Sequence, residues 1–350
     1  MTATIRQVWR PGSLRDADAI AEAVAAKDLN NLYRTSCYFR DPERYRAFCA
    51  MYAVMRIIDD RIDDLVARGH VAATERRRES RVLRAWHCVV SACLAGRPPA
   101  RNDAVQTEHP HIDELQTVFS TAARRFPVPA VLWDDFFSAM QQDLDRDRFL
   151  TYADFVSYAT GAAVAPTSIY LYLITAERRG ETGVYHPAPD FDLIQCGRDL
   201  GLFAYIAHVL RDLSQDLTTG DRGLLYLAAD DMATHGVTER MLFADLASGS
   251  GSAPLRRLVR DLVDRARTLA RRGRGRLRVL QRTLSRDRAF ILELIVRIYE
   301  AALDRIESCS CDPMTGAHRL TEVEKKEIAG SLAAGMGLVL VPAAPRAGVG

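Results

Sequence analysis

The stretch between residues 48 and 65, FCAMYAVMRIIDDRIDDL, constrains the fold of this chain more than any other part of it. From Phe48 to Leu65 its apolar residues recur at alternating steps of three and four, which predicts a helix with one face buried in a core. A second row follows one residue further along, and side chains at this spacing stack on one helix face. This row consists of Tyr52, Arg56, Asp59 and Asp63. We therefore expect a phenol, a guanidinium and two carboxylates along the edge of the buried face.

The crowding of acids on this helix indicates a bound cation. Two aspartates at i and i+4 repel each other by a few tenths of a kcal/mol, and Asp60 and Asp64 add to the repulsion. Mg²⁺ relieves it, because this ion takes carboxylate oxygens and leaves coordination positions for phosphate oxygens. Asp59 and Asp63 are therefore candidate metal ligands, and Mg²⁺ is the expected cofactor.

A second helix, predicted over residues 191 to 218, repeats this arrangement. Its apolar stripe runs from Phe203 to Leu217, and Arg211 lies beside the neighbouring row. A single DxxxD pattern is common on solvated helix faces, but two of them, each beside an apolar stripe and an arginine, are harder to explain in that way. We expect the two acidic faces to meet and to hold Mg²⁺ against a diphosphate. The second row consists of Tyr205, His208, Asp212 and Asp216.

Most of the remaining chain is helical by period. Residues 152 to 173 form a helix rich in small residues, in which Pro166 is expected to introduce a kink. A kinked helix of this kind leaves room for a long apolar ligand, although close helix packing explains the small residues equally well. The arginines of residues 253 to 288 are interleaved with acids, which indicates a solvated helical face.

Composition limits which partners and which cellular compartment are expected for this chain. A net charge of +2 over 350 residues gives no reason to expect nucleic acid as a partner. No apolar run reaches the length of a membrane span, which leaves only peripheral membrane contact open. The seven cysteines are scattered and odd in number, which favours reduced thiols and a cytoplasmic location.

Several motifs together resemble the squalene/phytoene synthase family. YAVMRIIDDRIDD at residues 52–64 resembles the family's first aspartate-rich motif, and LRDLSQD at residues 210–216 resembles the second. MQQDL, the Tyr158 region and RIYEAALDRIE follow the family's order, and Tyr226 occupies the position of its flap. The resemblance covers residues 28–307. It implies an all-α, single-domain isoprenoid-synthase bundle around a large apolar cavity, placed at residues 28–330 between an N-terminal segment (1–27) and a tail (331–350).

The resemblance also implies Mg²⁺-dependent ionisation of an allylic prenyl diphosphate in the dimethylallyl to farnesyl range. The four motif aspartates would bind metal, and the two motif arginines would hold phosphate. The residues implied to bind metal are Asp59, Asp63, Asp212 and Asp216, and those implied to bind substrate are Arg56, Arg211, Tyr52, Tyr205, Tyr158, Tyr226 and Arg222.

This chain departs from the family pattern on one side of the expected site. Tyr205 and His208 replace the family's Gln-x-x-Asn, whose asparagine is a metal-shell position, and GAAVA at residues 161–165 replaces AGTVG. His208 is therefore expected either to ligate Mg²⁺ poorly or to act in proton transfer, as a donor in place of the ion or as a general base.

Three hypotheses of function follow. The departures favour a prenyltransferase of specialised metabolism that alkylates a second, non-isoprenoid acceptor, such as a carbazole-type aromatic, with His208 as the base. The first alternative is head-to-head condensation of two prenyl diphosphates, the main reaction of the family. The second alternative is a catalytically inactive helical partner subunit, but such a chain would be expected to have lost motif aspartates, and all four are present.

Overall fold

The computed structural model describes residues 3–6, 16–27, 29–68, 71–145, 148–180, 182–219, 224–280, 283–316 and 318–341. These residues form helices that pack around one main core, with two small two-stranded sheets at the periphery, so the prediction of an all-α domain is confirmed. The helices are α1 (Asp16–Ala25), α2 (Asn31–Ser36), α3 (Pro42–Val66), α4 (Ala73–Leu94), α5 (Asp103–Gln106), α6 (Ile112–Arg125), α7 (Ala130–Asp145), α8 (Tyr152–Ala159), α9 (Ala165–Thr175), α10 (Leu193–Asp216), α11 (Ala229–His235), α12 (Glu239–Ser248), α13 (Ala253–Leu277), α14 (Arg286–Ser308) and α15 (Glu322–Gly335). The strands are β1 (Ala3–Arg6), β2 (Glu177–Arg179), β3 (Val184–His186) and β4 (Leu338–Val341).

Helix α3 carries the first acidic row as the sequence predicts. Asp41 caps its start, because the carboxylate accepts the backbone N–H of Glu43 at 2.9 Å, and Pro42 lies in the first turn. The predicted stripe from Phe48 to Leu65 is buried. Burial of this stripe fixes the rotation of the helix, and the rotation in turn places the acidic row at the edge of the core.

Helix α10 carries the second row and lies in the centre of the bundle, where it packs against α9, α13 and α14. A Cβ atom added to Gly201 would lie 2.7 Å from the Cα of Val164. Only glycine therefore allows α10 to approach the segment before α9 this closely.

Residues 152–175 do not form one kinked helix. A π-helical turn, Thr160–Val164, separates α8 from α9, and Pro166 lies in the first turn of α9, where its missing N–H costs little. The backbone irregularity therefore precedes the proline. Gly161 in the π turn packs on α7, since an added Cβ would lie 2.0 Å from the carbonyl oxygen of Asp135.

The C-terminal elements continue beyond residue 331. Helix α15 packs on α14 and continues to Gly335, and β4 then pairs in parallel with β1, with Ala3 opposite Leu338. Residues 343–350, expected to be disordered, lie outside the described residues. Among the helices that the structure describes, none combines the length and hydrophobicity needed to cross a bilayer.

Candidate active site

A cavity of about 490 Å³ opens between α3, α9, α10 and α14. Its inner part is apolar and includes Met55, Phe136, Leu200, Phe203 and Ile295. Its polar part contains residues from both acidic rows. The predicted site residues that line this cavity are Tyr52, Arg56, Asp59, Asp63, Tyr158, Tyr205, His208, Asp216 and Tyr226.

The first acidic row presents two carboxylates to the cavity. Arg56 donates from Nη1 to Asp59 at 3.4 Å and also pairs with Asp60. The carboxylate of Asp63 has no hydrogen bond or ion pair with any residue in the described ranges. Burial raises the pKa of Asp63 to about 6, against the opposing effect of Arg56, and the charges of neighbouring acids, Asp216 among them, contribute to the rise. Asp63 and Asp216 line the same cavity, so the two acidic rows meet there.

The second row presents Asp216. Its carboxylate is likewise unpaired within the described part of the chain. Burial raises the pKa of Asp216 to about 7, the charge of Asp212 adds to this, and Arg211 and Arg319 oppose it. A carboxylate that is buried without a partner is the kind of group that a divalent cation stabilises.

Asp212, unlike Asp216, has a paired carboxylate and does not line the cavity. Its side chain is 6% exposed and accepts from Nε of Arg211 at 3.0 Å, from Nη2 of the same arginine, and from Nη2 of Arg319 at 2.7 Å. Burial alone would raise the pKa of Asp212, but the hydrogen bond from Arg211 and the nearby positive charges hold it below its ordinary value. Asp212 is therefore an ionised, fully paired carboxylate.

His208 lines the cavity and is held by Arg211. Nη2 of the arginine lies 2.8 Å from Nδ1 of the imidazole, and a guanidinium can only donate, so Nδ1 accepts. Burial and the charge of Arg211 lower the pKa of His208 to about 4, so the neutral ring carries its proton on Nε2. Its side chain is 49% exposed, and that surface faces the cavity. This arrangement leaves no free lone pair for the general-base role expected from the sequence.

Aromatic rings form one wall of the cavity next to the acids. The ring centroids of Tyr158, Tyr205 and Tyr226 lie 6.1 to 6.4 Å from one another. The hydroxyl of Tyr158 donates to Asp143 at 3.1 Å. Burial raises the pKa of all three phenols, so they are neutral.

The remaining predicted residues differ in how they relate to the cavity. Tyr52 stacks on Phe48 with centroids 5.2 Å apart and is almost fully buried. Arg211 does not line the cavity and contacts it through His208. Arg222 lies outside the described residues.

Arg319 and Tyr299 are two residues near the site that the aspartate-rich sequence motifs do not mark. Arg319 lies between α14 and α15, where no helical period marks it, and it reaches Asp212 and Gln215 on α10. Tyr299 lines the cavity from α14. It continues the spacing of Leu292, Ile295 and Val296, so the apolar period of that helix was a usable signal.

The acidic residues fit a divalent metal that arrives with a diphosphate. Within the described ranges, no group of three or more His, Cys, Asp or Glu side chains is arranged to hold a metal ion by itself. Mg²⁺ commonly takes only one or two carboxylates and completes its shell with water and substrate phosphate. Asp59, Asp63 and Asp216 meet this requirement because they line the cavity, whereas Asp212 is already occupied by arginines.

Comparison with known proteins points to one family. The sequence profile of squalene/phytoene synthases matches residues 27–325. The phytoene synthase of Arthrospira platensis is 25% identical over 307 residues, which is 85% of this chain and 86% of that protein. The chloroplastic phytoene synthase of Narcissus pseudonarcissus is 25% identical over 258 residues, or 73% of this chain and 52% of that protein. The chain thus spans about half the length of the plant relatives that it matches.

Solved structures share the fold. A dehydrosqualene synthase bound to a ligand superposes with a TM-score of 0.68 and 18% identity, covering 91% of this chain and 96% of that one. A squalene synthase from Alicyclobacillus acidocaldarius gives a TM-score of 0.62 and 18% identity, covering 86% and 97%. The profile match over most of the chain, together with the predicted motifs on α3 and α10, shows that this protein belongs to the squalene/phytoene synthase family.

Proposed function

We propose that this chain is a divalent-metal-dependent prenyltransferase that ionises an allylic prenyl diphosphate and joins two prenyl chains head to head. The observation that carries the proposal is one cavity whose polar part contains Asp59, Asp63 and Asp216 and whose inner part is apolar. The names of the phytoene and dehydrosqualene synthases that resemble it support this reaction.

The polar part of the cavity suits the leaving group. When the C–O bond of the substrate breaks, the electron pair stays with the diphosphate, and negative charge grows on its oxygens. Asp59, Asp63 and Asp216 would hold Mg²⁺, which stabilises that charge when bound. Arg56 lies on the same helix face and donates to Asp59, so its guanidinium is close enough to turn to a phosphate oxygen.

The inner part suits the allylic cation. Tyr158, Tyr205 and Tyr226 present neutral rings beside the acids, and aromatic faces attract a cation. The buried apolar residues behind them exclude water, which would otherwise capture the cation as an alcohol. The double bond of the second prenyl diphosphate would then attack the cation, and the adduct would lose a proton to the released diphosphate. Breaking the second C–O bond would release the second diphosphate with its electron pair, and loss of a second proton would complete the head-to-head product.

A second candidate is transfer to an aromatic acceptor. It is favoured by the scarcity of cations: among described residues that line the cavity, Arg56 is the only arginine or lysine, whereas two diphosphates bring several negative charges. The tyrosine wall offers stacking surface for an aromatic ring. In this reaction His208 would donate a hydrogen bond from Nε2 instead of accepting the proton.

One assay tests the proposal. The purified protein is incubated with Mg²⁺ and labelled dimethylallyl, geranyl, farnesyl or geranylgeranyl diphosphate, with and without a carbazole acceptor. We expect diphosphate release without acceptor and a product that contains two prenyl chains.

Other outcomes identify the alternatives. Release that requires the aromatic acceptor, with one prenyl chain in the product, would support the second candidate. In that case His208→Asn tests whether the imidazole ring takes part. Unchanged turnover with an aromatic acceptor would exclude a role for His208 in that reaction. No release with any of the four substrates would contradict both enzymes and support a partner-binding subunit.

A further inference from the structure

The spacing on α10 places three candidate metal ligands in one row. His208, Asp212 and Asp216 follow one another at four-residue steps, which places them on one face of the helix. Contacts with neighbouring residues decide whether each of these three side chains is free to bind a metal ion. These contacts differ among the three.

Asp212 has little coordination capacity left. An ionised carboxylate offers about four lone-pair directions, and Asp212 already uses three for Arg211 and Arg319, while Nδ1 of His208 lies 3.5 Å away. A metal ion at this carboxylate would have to displace charge-assisted hydrogen bonds and bring a further positive charge next to two guanidinium groups. The carboxylate is also absent from the cavity surface.

His208 is no better placed as a ligand. Its Nδ1 lone pair accepts from Arg211, and the other nitrogen of the neutral ring carries the proton. Metal ligation needs a free lone pair on one of these two nitrogens.

Arg211 and Arg319 are oriented by the same carboxylate. Arg211 reaches Asp212 through two nitrogens and His208 through one of them, whereas Arg319 arrives from the segment before α15 and also contacts Gln215. Asp212 therefore accepts hydrogen bonds from both arginines, whereas the carboxylate of Asp216 accepts none from either of them.

We propose that the second acidic motif gives the metal a single carboxylate, that of Asp216, and that Asp212 is a positioning residue for Arg211 and Arg319, which lie behind the cavity surface and would turn toward a bound diphosphate. The assignment of the diphosphate rests on the proposed function. The assignment of different roles to Asp212 and Asp216 rests on the contacts alone.

The test counts metal ions independently of turnover. Mn²⁺ is titrated into the full-length protein in the presence of inorganic pyrophosphate, bound ions are counted by electron paramagnetic resonance, and pyrophosphate affinity is measured by calorimetry. The variants are Asp216→Asn, Asp212→Asn and Arg319→Met, each checked for folding by circular dichroism.

We expect Asp216→Asn to lose at least one bound Mn²⁺. Asp212→Asn and Arg319→Met should keep the wild-type number, while their Kd for pyrophosphate rises about tenfold, as expected for a misdirected charge-assisted contact. If Asp212→Asn fails to fold, Arg319→Met still decides, because it frees one acceptor position on Oδ1 of Asp212 without removing the carboxylate.

Three results would overturn the proposal: loss of the same number of ions in Asp212→Asn as in Asp216→Asn, an additional ion in Arg319→Met, or no Mn²⁺ bound by the wild type. Diphosphate release by the wild type is measured separately. A protein that binds Mn²⁺ as described but releases no diphosphate from prenyl substrates would contradict the proposed function and leave the assignment of the two aspartates standing.

Discussion

The acidic rows on α3 and α10 have the same spacing and different electrostatic surroundings. On α3, Asp59 and Asp63 both face the cavity, and Asp63 has no partner among the described residues. On α10, Asp216 is also unpaired within the described ranges, but Asp212 is buried beneath Arg211 and Arg319. A shared DxxxD pattern therefore does not give a shared role. What distinguishes the carboxylates is the set of residues that other elements bring to them.

The largest effect is expected on the α3 side. Asp63→Asn should lower the rate of diphosphate release about 10²–10³-fold, the size of losing one charge-stabilising contact in a transition state. Asp64→Asn is the matched control, because Asp64 is adjacent on the same helix and does not line the cavity. An equal loss of rate in the two variants would show that the effect of Asp63→Asn does not depend on its position facing the cavity.

A stability measurement contrasts the two aspartates of α10. Asp212→Asn should lower the free energy of unfolding by about 1–3 kcal/mol, because two guanidinium groups lose their ionised partner. Asp216→Asn should leave stability unchanged or slightly higher, since it removes a half-buried charge that has no partner among the described residues. Urea unfolding without metal measures both, and a reversed order would contradict the pairing described for Asp212.

The pH dependence of stability sharpens the same contrast. Asp63 and Asp216 have pKa values raised to about 6 and about 7, so between about pH 4 and pH 7 the folded state binds more protons than the unfolded chain at these sites. Their contribution to stability is therefore present at low pH and is lost as pH rises through the folded pKa values. As pH rises over this range, the Tm of the wild type should therefore fall relative to the Tm of the Asp63→Asn/Asp216→Asn double variant. A difference that is constant with pH would show that these carboxyls are not perturbed.

The smallest effect is expected at the aromatic wall. Tyr205→Leu removes one ring that faces the cavity, and the loss of a cation–π contact of about 0.5–2 kcal/mol should raise the fraction of product captured by water severalfold. Tyr205→Phe keeps the ring and should behave like the wild type. Analysis of the prenyl alcohol released by each variant measures this, and identical fractions for Leu and Phe would exclude a role for the ring.

The sequence predicted the parts of the site that depend on contacts within one helix. The rows on α3 and α10 follow directly from helical spacing and the buried stripes beside them. It did not predict the pairing of Asp212 with Arg319, which joins residues 107 positions apart and depends on a segment without helical period. The π turn before α9 was also missed, because Pro166 indicated a kink at the proline and not in the residues before it.

Gly161 has a consequence for the product length of the proposed prenyltransferase. It faces the backbone of α7, whereas its neighbours Ala162 and Ala163 face the cavity. Larger residues at the two alanines would shorten the room for a hydrocarbon tail while leaving the helix spacing intact. Any side chain at Gly161 would instead push two walls of the bundle apart. An engineer who wants shorter products should therefore vary the alanines and keep the glycine.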